Sequence, residues 1–105
     1  MDGKEDNNGD IDFEALEREL LKGVEKSKDR RLAERIRHDA DRISSMILYS
    51  DMPKVDIEIA IRGFKREVLK VFPNKEQLFN NLYLSRFKRL WHQFRHEGGE
   101  LMEEK

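Results

Sequence analysis

Two groups of side chains in this 105-residue chain have the types and spacing that chemistry requires: histidines one helical turn apart, and rows of arginine and lysine. His92 and His96 are four residues apart, which on a helix would bring two imidazoles to one metal ion. A third ligand would have to come from His38 or Asp41, far back in the chain. Position 93 is Gln, so the carboxylate that acts as general base in an HExxH helix is missing. Both histidines also suit the last turns of a helix, where a cation meets the negative end of the dipole. His38 and Asp39 form one isolated His–Asp pair beside Asp41 and Arg42, which fits a solvated helix surface. No serine sits in a nucleophile elbow, no glycine-rich loop could cradle a phosphate, and the chain has no cysteine. No catalytic residue, metal ligand or cofactor is therefore expected, nor a small-molecule substrate. A metal-dependent enzyme around His92 and His96 is the third of three functional readings.

The basic residues carry more. Arg62, Arg66 and Lys70 recur at steps of four, with Lys65 beside them, and Arg86 and Arg89 share a side of the last segment. Such a face could neutralise phosphates with release of counterions, which makes nucleic-acid binding by the last two helices the second reading. The aromatic residues between them would not stack on bases, because Phe87, Trp91 and Phe94 fall on the stripe expected to be buried. The net charge of −1 hides a strong asymmetry: residues 1–23 hold eight acids and three bases, residues 53–96 four acids and ten bases. An acidic first segment could pack beside the basic last one and mask it.

The elements that would position these residues follow from periodicity. Residues 1–10 lack an apolar period and read as a disordered acidic tail, and 98–105 as a flexible acidic C-terminal tail. Between them, 11–97 form a single helical domain. Asp12 suits an N-cap, with Ile11 and Leu16 as a hydrophobic staple, for a first helix over about residues 12–25. Leu32, Ile36, Ala40, Ile43 and Ile47 continue at helical steps to about Ser50. Gly23 and the polar run 25–29 favour a break between the two, with Ser27 as second cap. Ser50 and Pro53 mark the next start.

Val55, Ile57, Ile59 and Ile61 alternate as a strand would, but Ile57, Ile61, Phe64, Val68 and Val71 extend a helical stripe past strand length. A lone strand would also leave its edges unpaired, so a helix is expected, ending at Pro73. The last helix, 74–97, starts at an Asn74 cap and carries Phe79, Tyr83, Phe87, Leu90, Trp91 and Phe94 on one face. The expected fold is all-α: a small antiparallel bundle of three to four helices, the isoleucine-rich helix in the middle and the Trp91 helix over it.

Val55 and Ile59 lie off that core stripe, so the first half of the helix is apolar over a wide arc, as in a helix that is either central in the bundle or covered by a second chain. The first reading is therefore a small non-catalytic helical module acting by protein–protein interaction or self-association, a homodimer included. Val55 and Ile59 would supply apolar contact, and Arg62, Arg66, Lys70, Arg86 and Arg89 charged contact. With no apolar run of about 18 residues and no basic-then-apolar leader at Met1, a cytoplasmic protein without membrane contact is expected.

Overall fold

The computed structural model describes residues 12–25, 30–95 and 98–102, and they form a small all-α bundle. Helix α1 spans Phe13–Glu25, α2 Arg30–Tyr49 and α3 Lys54–Val71. Helix α4 runs as Glu76–Phe79, a wider π-helical turn Asn80–Leu84, and Ser85–Phe94. The Asp12 carboxylate accepts from the Ala15 amide at 3.1 Å and so caps α1 as its type and place require. Ile11 and Ser27 lie outside the described residues.

The central helix is α2, not the isoleucine-rich α3. It packs against α1, α3 and the Ser85–Phe94 part of α4. The reason is how far around its axis α2 is covered: Ala33, Ile36, Ala40, Ile43, Ser44 and Ile47 are all buried. Ala33 and Ala40 leave room for neighbouring helices to approach closely, whereas α3 buries only the stripe Ile57, Ile61, Phe64 and Val68.

Phe64 joins α3 to α4. Its ring lies 5.5 Å from Phe79, 5.2 Å from Tyr83 and 6.3 Å from Phe87, contacts that span successive turns of α4. Phe79, Tyr83, Phe87 and Trp91 are all fully buried at constant steps of four. In a regular α-helix such steps drift steadily around the axis. The π turn holds more residues per turn, closed by the Ser85 amide on the Asn80 carbonyl, and absorbs part of that drift. Leu82 and Tyr83, both within that turn, are buried.

Several boundaries differ from the sequence expectation. Helix α4 begins at Glu76 after a turn in which the Lys75 amide donates to the Phe72 carbonyl, and no Asn74 side chain caps it. Ser50 caps nothing ahead of it. Its hydroxyl donates to the Met46 carbonyl at 2.7 Å and accepts from the Met52 amide at 3.1 Å, closing α2 from behind. Residues 98–102, expected within a tail, fold back onto the bundle instead. Leu101 is 1% exposed, and Gly98, Gly99 and Met102 all adopt positive φ to make the return. The two glycines make that path cheap, because they lack the Cβ that penalises it.

Candidate interaction surface

The outer face of α3 is where the structure gathers the sequence-selected residues. At 100° per residue, Val55, Ile59, Arg62, Arg66 and Lys70 fall within an arc of about 80°, opposite the buried stripe. Val55 is 57% exposed and Ile59 58%. Arg62, Arg66 and Lys70 are exposed as well. The face is thus apolar toward the start of α3 and basic toward its end. Lys70 sits 3.6 Å from Glu67, one turn back, while Arg62 and Arg66 have no ion-pair partner among the described residues. Exposed aliphatic side chains at adjacent turns leave apolar area in water, at a cost of about 25 cal/mol per Å² relative to burial.

Arg86 does not belong to that face. It reaches Asp41 of α2 at 3.5 Å and is one-third exposed. Arg89 is exposed on the next turn of α4. With Lys88 and His92 it rims a cleft of about 460 Å³ between α4 and the returning segment, above the buried Trp91 and Leu101. His38 and His92 are exposed, His96 lies outside the described residues, and no group of three potential metal ligands occurs among the described residues.

The acidic first helix meets α2 and α4. Tyr83 donates its hydroxyl to Glu17 at 2.6 Å, and Arg37 donates its Nε to the other carboxylate oxygen at 3.3 Å. Burial, then the hydrogen bond to Glu17 and its negative charge, push the Tyr83 hydroxyl far above its ordinary range, against a smaller opposing pull from Arg37 and Arg86.

Arg95 has a role that spacing could not show. Its guanidinium donates to the Ile47 and Ser50 carbonyls at 3.2 Å and to the Met52 carbonyl at 2.8 Å, and lies 4.6 Å from the Trp91 ring centroid. The last carbonyls of α2 have no partner within their own helix, and Arg95 supplies one from α4. A basic residue one turn past a buried tryptophan was the available signal, but its target is set by the packing. Phe94, placed on the buried stripe by period alone, is 61% exposed: as the last residue of α4 it lies beyond the cover the other helices give.

Around the Trp91 end, the returning segment is fastened at three points. The Trp91 indole donates to the Gly99 carbonyl at 3.1 Å, Lys54 to the Gly98 carbonyl at 2.9 Å, and the Met102 amide to Glu58 at 2.8 Å. Lys54 and Glu58 stand on the first turns of α3, so the segment ties the start of that helix to the end of α4. No helix among the described residues is long and apolar enough to cross a membrane. The chain matches no protein-family model, no curated protein and no solved structure.

Proposed function

We propose that this is a small non-catalytic helical module that binds a protein partner through the outer face of α3. The observation that carries the reading is the pair of exposed aliphatic side chains, Val55 and Ile59, continuing directly into Arg62 and Arg66 on the same face. Apolar burial would hold the partner, and the arginines would steer and orient it. The aromatic residues that could stack on nucleic-acid bases are mostly consumed by the core, which favours a protein surface over a nucleic acid.

The test compares affinity capture by the wild-type chain and by Val55→Glu/Ile59→Glu, two substitutions at solvent-facing positions that leave the core intact. A protein retained by the first and lost by the second is the expected result. Light scattering on the purified chain would show whether that protein is a second copy. Identical capture by both forms from a monomeric chain would overturn the reading. If labelled RNA or DNA bound in a salt-sensitive way, lost on Arg62→Glu/Arg66→Glu but kept by the aliphatic variant, the basic face would instead be a nucleic-acid surface.

A further inference from the structure

Gly63 stands in the interior of α3, beside Ile59 and Arg66, where glycine costs about 1 kcal/mol relative to alanine. Nothing in the fold requires it: a Cβ built there meets no atom within 4 Å. Its φ is not in the left-handed region that only glycine enters easily. The space a side chain would fill lies at the edge of a groove along the seam between α2 and α3. One stretch of that groove, of about 410 Å³, is bounded by Arg42, Ala60, Gly63 and Arg66. It adjoins a second stretch of about 250 Å³ reaching Leu32 and Val71, the two sharing Asp39, Phe64 and Glu67. Phe64, Ile36 and Val68 give it an apolar floor. From Ala60 to Val71 it extends about 16 Å, or three turns of helix.

Resting on the α3 reading above, we propose that the occupant is an acidic amphipathic helix of a partner protein, lying in this groove and crossing α3 at Gly63. Without a side chain, Gly63 lowers the ridge that would separate the groove from Ile59, so one helix can touch both. The charges around the groove select the sign of the partner. Arg35, Arg42, Arg66 and Lys70 outnumber Asp39 and Glu67. Asp39 already faces Arg42 at 3.9 Å and Glu67 faces Lys70 at 3.6 Å, while Arg66, and Arg62 beyond it, point to further carboxylates. The apolar floor suits a helix with one aliphatic row beside its carboxylates, whereas a phosphate backbone offers nothing to bury there.

The probe is a labelled helical peptide with leucines along one face and glutamates on the others, compared with the same peptide bearing lysines for glutamates. Fluorescence anisotropy should show the acidic peptide binding the full chain at least about tenfold more tightly than the basic one. Gly63→Leu should weaken that binding by about tenfold or more, and Val55→Glu/Ile59→Glu should weaken it too. Gly63→Ala serves as the folding control and should raise thermal stability. Failure of the acidic peptide to bind, or equal binding of both peptides, overturns the proposal. Loss with the Val55/Ile59 variant but not with Gly63→Leu would leave α3 as the interface and discard the groove. Indifference to both variants would discard the α3 reading as well.

Discussion

Tyr83 shows how much one residue depends on partners distant in sequence. By type and spacing it is one more aromatic on the α4 face, yet its hydroxyl ties α4 to α1 through Glu17, which Arg37 of α2 also engages. A hydrogen bond to a charged group contributes about 1.5–3 kcal/mol, so Tyr83→Phe should destabilise the fold by roughly that much at neutral pH. The pH dependence has a definite sign. The native state holds the hydroxyl protonated well above its unfolded value of 10.0, so below that value both states keep the proton and stability does not change on its account. Above it the unfolded chain ionises and the native state does not, and stability falls by about 1.4 kcal/mol per pH unit. Urea denaturation of wild type and Tyr83→Phe between neutral and alkaline pH should therefore show the gap between them narrowing with pH. A gap of constant size would mean the hydroxyl is not shielded.

At the scale of the element, the informative piece is the returning segment Gly98–Met102. Its composition, glycines followed by charge, reads as a tail, and a single leucine is its only large aliphatic. Leu101 is nevertheless buried, in a place made jointly by the end of α4 and the start of α3. Leu101→Ala should cost about 2–5 kcal/mol, the range for emptying a buried leucine site, and thermal denaturation measures it. A tail residue would cost nothing detectable. The π turn of α4 makes the same point from the other side. The steps of four from Phe79 to Trp91 were visible as a pattern, but the turn that widens between them, and the Phe64 ring from α3 that packs on Phe79, Tyr83 and Phe87, appear only in the folded chain.

For the whole molecule, the question is whether the four helices share one core. Buried side chains from all four, with Phe64 and α2 as the common contacts, leave no element with a separate apolar cluster. Unfolding should then be a single transition, with far-ultraviolet circular dichroism and the fluorescence of the sole tryptophan, Trp91, following the same curve in urea. Two separated midpoints would show that α1, or the α3–α4 pair, melts independently. The charge asymmetry also resolves at this scale. Within the described part of the first helix, Glu17 is directed at Tyr83 and Arg37 and not at the α3 stripe, where Arg62 and Arg66 have no ion-pair partner among the described residues.

Helical class, the Asp12 cap and the buried faces of α2 and of most of α3 and α4 were legible in the residues themselves, the exceptions being Val71 and Phe94 at the ends of their stripes, which are exposed. The legible features follow from local periodicity and local hydrogen bonding, which a linear pattern records. That Val55 and Ile59 lie off the core stripe was legible too, but that no other helix covers them, leaving them 57% and 58% exposed, was decided by the packing. Which helix is central, where Leu101 goes, why Arg95 is needed and which arginines are already paired were not. Those depend on packing between elements far apart in the chain, where small residues such as Ala33 and Ala40 decide how closely helices approach, and no spacing within one element encodes it. The open ridge at Gly63 belongs with them. In sequence it is one glycine in a helix, and only the α2–α3 seam beside it makes it a place for something to dock.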